Sequence, residues 1–161
     1  MKNYRDWIGG DTSKREIIHS KIFEEPVDFV FEMYSKPQHT DNWWGPTGFI
    51  TKTSTMDFMT GGNWEYQMIG PDGKIYDNLI NYLEILTNEK IVYSHRSTEE
   101  DEEEFITIID FEPVGEGTKL TVHMIFQTID QYRNVVDEYG AIEGLIQTIG
   151  RLYDYIKNMK I

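Results

Sequence analysis

The sequence predicts an α+β fold in which one long C-terminal helix covers a curved antiparallel sheet. Residues 48–127 contain several short runs of alternating or β-branched side chains, which are typical of strands. Glycine-containing turns separate these runs, as at residues 70–73 and 115–117, and such short connections favour antiparallel neighbours. Residues 130–159 change to a three- and four-residue apolar period, which predicts a helix of about 28 residues, roughly 42 Å long.

A lead-in, one strand and two short helices are predicted before the main run of strands. Residues 1–14 contain a Gly-Gly-Asp segment and predict a flexible lead-in, so the folded domain is expected over residues 15–161. Residues 15–22 are rich in β-branched side chains and predict the first strand. Pro26 beside acidic residues predicts a helix start, and Pro37 ends that helix and begins a shorter one.

Six further strands are predicted, each bounded by turn residues. They are expected over residues 48–56, 63–69, 75–85, 90–96, 105–111 and 118–127. The final helix carries Gly140, Gly144 and Gly150, which disfavour a free-standing helix and indicate a close backbone approach or a kink.

Composition and charge exclude several classes of function. The chain has 161 residues, a net charge of −13 and no cysteine, which excludes disulfides, thiolate zinc sites and cysteine nucleophiles. The excess of acids argues against binding of nucleic acids or anionic lipid surfaces. No apolar run approaches the roughly 20 residues of a membrane helix, and no signal-peptide core is visible, so a cytoplasmic location is expected.

Several short motifs, taken in their order along the chain, resemble one bacterial family. They are Phe-Glu-Glu-Pro-Val-Asp-Phe-Val-Phe at 23–31, Asn-Trp-Trp-Gly-Pro at 42–46, Gly-Gly-Asn-Trp at 61–64, Met-Ile-Gly-Pro-Asp-Gly-Lys-Ile-Tyr at 68–76, Gly-Thr-Lys-Leu-Thr-Val at 117–122 and Glu-Gly-Leu at 143–145. Residues 15–159 thereby resemble the bacterial proteins that are similar to the C-terminal domain of the activator of the heat-shock-protein-90 ATPase. That family belongs to the START-like, or SRPBCC, superfamily.

The resemblance implies a helix-grip fold, in agreement with the predicted order of strands and helices. It also implies that a small apolar or aromatic ligand lies between the sheet and the long helix. It transfers no catalytic residue, because the superfamily has no shared catalytic motif. The co-chaperone role of the eukaryotic relative is not expected, because the chain has no counterpart of the N-terminal domain that engages the chaperone.

Ten side chains are candidates for the walls of such a cavity. They are Trp64, Tyr66, Met68, Tyr82, Tyr93, His95, Phe111, Leu145, Ile146 and Ile149. Tyr93 and His95 share one face of a strand and are expected to be the polar anchors. The alternative for any one of the aromatic rings is that it simply fills the core.

Metal and cofactor chemistry is not predicted. The four histidines show no spacing typical of zinc ligands. His95 has three alternative roles, a ligand contact, a general base or a structural histidine, of which the structural role is favoured. Residues 99–104 are six consecutive acids and are more typical of a solvated loop than of a calcium site, whose ligands are spaced and include a glycine.

Three functions remain open from the sequence. The first is binding of a small ligand, the second is an enzyme that uses the same cavity, and the third is a protein-interaction module. The third function would be that of a stress-related chaperone partner or a homodimer, with exposed Trp43 and Trp44 and the acidic residues 99–104 as contact surfaces. Because neighbouring residues are not expected to point the same way, only one of the two tryptophans is predicted to face inward.

Overall fold

A computed structural model describes residues 4–159 of the chain. The elements in chain order are α1 (Tyr4–Ile8), β1 (Glu16–Phe23), α2 (Val27–Glu32), α3 (Pro37–Trp43), β2 (Ile50–Met56), β3 (Asn63–Ile69), β4 (Ile75–Leu86), β5 (Lys90–Arg96), β6 (Phe105–Val114), β7 (Gly117–Ile125), α4 (Ile129–Asp137) and α5 (Ala141–Met159). The predicted lead-in and domain also include residues 1–3 and 160–161, which lie outside the described residues.

The seven strands form one antiparallel sheet in the order β1-β7-β6-β5-β4-β3-β2. All strands from β2 to β7 pair with their neighbours in sequence, as the short turns predicted. β1 pairs with β7 and not with β2, so the two short helices α2 and α3 connect the opposite edges of the sheet. The α+β helix-grip fold is thus confirmed.

Two irregularities in strand pairing help to bend the sheet. The pairing of β2 with β3 shifts register between Thr53 and Thr55, and that of β4 with β5 shifts between Tyr82 and Glu84. An extra residue in one strand bends that strand and increases its twist. The sheet therefore curves around the helical layer and presents it with a concave face.

Helix α5 supplies much of the core on the concave side of the sheet. Its buried side chains Ile149, Leu152 and Ile156 recur at three- and four-residue steps and so lie on one face. They join a cluster that includes Phe23 of β1 and Leu120 of β7. Full burial of each such side chain contributes about 1.5–3 kcal/mol to the free energy of unfolding.

The C-terminal helix is interrupted, which corrects the prediction of one continuous helix over residues 130–159. Helix α4 ends at Asp137, and α5 begins at Ala141. Gly140 has a φ of +60°, a left-handed conformation that is costly for residues with a side chain. Its carbonyl oxygen accepts from the backbone N–H of Gly144 at 2.9 Å, which begins the hydrogen bonding of α5.

The predicted lead-in contains the short helix α1. The Arg15 guanidinium donates from Nη1 to the carbonyl oxygen of Phe126 at 2.6 Å and from Nη2 to the carbonyl oxygen of Trp7. This one side chain therefore joins α1 to the residue that follows β7.

Candidate functional site

A cavity of about 240 Å³ lies between the concave face of the sheet and helices α3 and α5. Its apolar wall includes Met68, Ile109, Val122, Met124, Leu145 and Ile149. Its aromatic wall includes Tyr34, Trp43, Trp44, Tyr66, Tyr93 and Phe105. Tyr139, Gly140 and Ala141, at the junction of α4 and α5, also line it, and Tyr139 is 73% exposed. This junction therefore forms the outer edge of the cavity.

Six of the ten candidate wall residues line this cavity. They are Tyr66, Met68, Tyr93, His95, Leu145 and Ile149. The strand residues come from β3 and β5, whose alternate side chains share the concave face. Leu145 and Ile149 are four residues apart on α5 and so lie on the same side of that helix.

The other four candidates lie elsewhere, and their expected place in the wall is corrected. The Trp64 ring centroid lies 4.3 Å from that of Tyr66, and the Trp64 indole N–H donates to Oγ1 of Thr53 at 3.0 Å, so Trp64 fills space behind the wall. Tyr82 and Phe111 are buried within the core cluster. Ile146 is 48% exposed because one step along a helix turns by about 100° from Leu145.

Trp43 and Trp44 both line the cavity, which corrects the prediction that only one faces inward. Trp43 is fully buried, and its indole N–H donates to the carbonyl oxygen of Met33 at 3.2 Å. Trp44 is the extended C-cap of α3, and its indole N–H donates to the Tyr66 hydroxyl at 2.9 Å. The alternation rule of strands does not hold where a helix ends. Trp43 is buried and Trp44 is partly exposed, so of the two only Trp44 can contribute to a contact surface.

Sequence reasoning also missed several wall residues on β6 and β7. Phe105, Thr107 and Ile109 alternate along β6, and Val122 and Met124 alternate along β7. The period-two pattern places each set on one face, so this signal was sufficient to find them.

Two polar side chains of the wall, Tyr66 and His95, form one hydrogen-bonded network with Asn78. The Nε2 atom of His95 lies 2.8 Å from Oδ1 of Asn78 and 3.3 Å from the hydroxyl oxygen of Tyr66. Tyr66 on β3 is the direct cross-strand partner of Asn78 on β4, which explains why the two side chains share a face. The Asn78 amide donates from Nδ2 to the carbonyl oxygen of Tyr76 at 3.2 Å. The result is a short hydrogen-bonded network at one end of an apolar space.

These groups carry no charge near neutral pH. Burial lowers the pKa of His95 to about 4, although nearby Asp101 acts in the opposite direction, so the imidazole is neutral. Burial raises the pKa of Tyr66 and of Tyr93 well above the usual tyrosine value, so both hydroxyls keep their protons. No Asp, Glu, Lys or Arg from residues 4–159 is part of the wall. The cavity therefore favours an uncharged occupant.

Arg151 fixes the loop that follows α3 and forms one side of the cavity. Its Nη1 atom lies 2.9 Å from the carbonyl oxygen of Gly45, 3.0 Å from that of Pro46 and 3.2 Å from that of Phe49. Oγ1 of Thr51 donates to the carbonyl oxygen of Trp44 at 2.8 Å. The guanidinium thus donates to several backbone carbonyl groups of this loop and ties the loop to α5.

Residues 4–159 contain no group of three or more His, Cys, Asp or Glu side chains that could hold a metal ion. None of the helices described is both long enough and apolar enough to cross a membrane.

Comparison with known proteins identifies related families and folds. Residues 24–157 match the family described as "Activator of Hsp90 ATPase homolog 1-like protein". A crystal structure of a Nitrosomonas europaea protein superposes with a TM-score of 0.82 at 21% identity, covering 92% of this chain and 97% of that chain. The comparison with curated proteins yields no significant match.

Two further solved structures show the same fold. A solution NMR structure of an Arthrobacter aurescens protein has a TM-score of 0.85 at 21% identity and covers 92% of this chain and 90% of that chain. The crystal structure of the AHSA1 protein from Silicibacter pomeroyi has a TM-score of 0.74 at 17% identity and covers 89% of this chain and 99% of that chain.

Proposed function

The chain belongs to the family of Activator of Hsp90 ATPase homolog 1-like proteins, and from this premise we propose that it binds a small, uncharged, apolar or aromatic ligand. The observation that carries the proposal is the cavity of about 240 Å³ between the sheet and α5, whose wall is apolar and aromatic and contains no charged side chain. Ligand pockets in proteins commonly combine such a wall with a few convergent polar groups. Tyr66 and the two expected polar anchors, Tyr93 and His95, supply those groups here.

The lining of the cavity supports a ligand more than its size does. The wall is mostly apolar and aromatic, and the cavity is open at the junction of α4 and α5, so a small apolar molecule that enters it is removed from water. An apolar cavity of about 150 Å³ can hold one benzene ring. A space of about 240 Å³ therefore suits a compact ligand of one or two fused rings.

The proposal is tested by titrating the protein with tetralin, an uncharged two-ring hydrocarbon. We expect saturable binding of one tetralin per chain, followed by NMR through the indole N–H signals of Trp43 and Trp44. Leu145→Trp fills the cavity from α5 and should weaken binding at least about tenfold, because it removes the space that the probe occupies. Ile146→Trp is the matched control, since its side chain is exposed and does not line the cavity.

A second cavity-filling variant protects the test against a folding defect. Ala141→Phe adds a ring at the outer edge of the cavity, where Leu145→Trp adds one deeper along α5. Melting temperatures identify which variants are folded. Tetralin binding that survives both folded cavity-filling variants, or that Ile146→Trp weakens as strongly as Leu145→Trp, would contradict the proposed site.

Native mass spectrometry provides an independent test on the freshly purified protein. We expect a native mass that exceeds the denatured mass by one small organic molecule, because a ligand with slow release survives purification. The same spectrum reports the number of chains in the particle and so tests the homodimer hypothesis. A carried molecule with a permanent charge would contradict the proposed ligand class.

A further inference from the structure

The orientation of the Asn78 amide assigns the proton on His95. Its Nδ2 group donates to the carbonyl oxygen of Tyr76 at 3.2 Å, so Oδ1 is the atom that lies 2.8 Å from Nε2 of His95. An amide oxygen only accepts hydrogen bonds, so Nε2 must be the donor and carries the ring proton. Because the ring is neutral, Nδ1 is unprotonated.

This assignment leaves the proton of the Tyr66 hydroxyl without a protein acceptor. The Tyr66 oxygen accepts from the Trp44 indole N–H at 2.9 Å, and an indole nitrogen cannot accept. Its other neighbour is Nε2 of His95 at 3.3 Å, which already carries a proton. Among residues 4–159 there is no further hydrogen bond to this hydroxyl, although Tyr66 is only 2% exposed and lines the cavity. A buried hydroxyl proton without an acceptor is energetically unfavourable. Binding of a molecule that supplies a hydrogen-bond acceptor would remove this cost.

We infer that the ligand carries a carbonyl oxygen and that the Tyr66 hydroxyl donates a hydrogen bond to it. The inference rests on the proposed function and narrows its ligand class to neutral ketones, aldehydes, esters or amides with an apolar ring body. A carbonyl oxygen accepts without having to donate, which matches a site whose free group is a donor. A carboxylate would also accept, but its burial in a wall without a cation is strongly unfavourable.

The test compares two probes that differ in one group. α-Tetralone has a carbonyl where tetralin has a methylene, on the same two-ring frame. Tyr66→Phe should weaken binding of α-tetralone about fivefold and leave binding of tetralin within about twofold, since one neutral hydrogen bond is lost only with the ketone. The quantity to compare is the ratio of the dissociation constants of the two probes, in the natural protein and in Tyr66→Phe. The change in this ratio does not depend on the different hydration of the two probes. It also does not depend on the hydrogen bond that the Trp44 indole N–H loses in the variant, because that loss is the same for both probes.

Two controls isolate the hydrogen bond from the shape of the cavity. Tyr82→Phe removes a buried hydroxyl from the same sheet, but Tyr82 does not line the cavity, so the affinities for both probes should be unchanged. The carbonyl ¹³C resonance of bound α-tetralone should show the shift of a hydrogen-bonded ketone in the natural protein. That shift should disappear in Tyr66→Phe.

The outcomes separate this inference from the proposed function. If neither probe binds, the proposed function itself fails. If both probes bind and Tyr66→Phe weakens them equally, the cavity binds ligands, but the carbonyl inference is overturned. A ¹⁵N NMR spectrum with the His95 proton on Nδ1 would also overturn it, because Nε2 would then accept from Tyr66. Selective loss of α-tetralone binding, with the proton on Nε2, supports it.

Discussion

His95 is held neutral in the fold by burial and by partners that carry no charge. Its ring nitrogen contacts the Asn78 amide and the Tyr66 hydroxyl, and its ring lies beside that of Phe105, with centroids 5.0 Å apart. A protonated imidazole in this place would lose most of its hydration, and the attraction of Asp101 compensates for only part of that loss. Protonation of this cavity-wall residue therefore affects the free energy of unfolding of the whole domain.

We expect His95→Gln to remove a dependence of stability on pH. An unfolded histidine has a pKa of about 6.5, whereas burial lowers that of His95 to about 4. Between these values the unfolded chain binds a proton that the folded chain does not, so stability falls as the pH decreases through this window and is constant above it. The difference in free energy of unfolding between about pH 7.5 and about pH 4.5 should shrink by about 2 kcal/mol in the variant.

Urea unfolding of both proteins at each pH measures this effect. The carboxylates titrate in both proteins, so their contribution cancels when the two pH profiles are subtracted. Parallel profiles over the whole range would contradict the assignment of a neutral, buried His95.

At the scale of secondary-structure elements, the break between α4 and α5 shapes the outer edge of the cavity. The apolar period runs on across the break, because Tyr139 and Ile142 keep the three-residue step. Periodicity records which side of a helix is apolar, but it carries no information on the sign of φ at Gly140. The three glycines predicted a kink or a close approach, yet only the left-handed backbone of Gly140 shows where the helix stops.

A pair of glycine substitutions should have effects of opposite sign. Gly140→Ala should lower the free energy of unfolding by about 1–2 kcal/mol, because it forces an L side chain into left-handed backbone. Gly150→Ala should raise it by up to about 1 kcal/mol, since Gly150 lies inside α5, has no positive φ and has open space around its missing side chain. Urea unfolding of the two variants checks both signs, and a stabilising Gly140→Ala would contradict the described helix break.

Arg151 should be necessary for the order of the loop that follows α3. Arg151→Met removes the donors that reach the carbonyl oxygens of Gly45, Pro46 and Phe49, so we expect a loss of about 2 kcal/mol in stability. Backbone amides of residues 44–49 should then exchange with solvent faster. Arg133→Met on the exposed face of α4 is the matched control, and hydrogen-exchange mass spectrometry compares the two. Equal exchange in both variants would contradict the role of Arg151.

At the scale of the whole molecule, charge repulsion opposes the compact state. The net charge is −13, and the ion pairs Lys36–Glu32 and Lys90–Asp110 are both exposed to solvent. Exposed pairs contribute little, so salt screens more repulsion than attraction. We expect the melting temperature to rise by several degrees between about 0.02 M and about 0.5 M sodium chloride. A melting temperature that falls over this range would show that ion pairs dominate.

The order of the seven strands and the places of α2 and α3 could be predicted from the sequence, whereas α1, the break between α4 and α5 and much of the cavity wall could not. Each strand shows alternation or a bounding turn over a few residues, and these local signals suffice for the topology of a meander. The position of Trp64 behind Tyr66, and of Trp43 and Trp44 side by side in the wall, depends on how rings from distant segments share one volume. No local period in the sequence contains information on how these rings share that volume. The side chains that line the cavity therefore could not be distinguished from those that fill the core behind them.

The polar network and the outer edge of the cavity are carried by different parts of the chain. Tyr66, Asn78 and His95 belong to paired strands in the middle of the sheet, whereas Tyr139, Gly140 and Ala141 belong to the junction of two helices. For the ligand that we propose, substitutions at the junction would alter how quickly it enters and leaves the cavity without changing the groups proposed to recognise it. During evolution, residence time and chemical selectivity can therefore diverge independently among descendants of this chain.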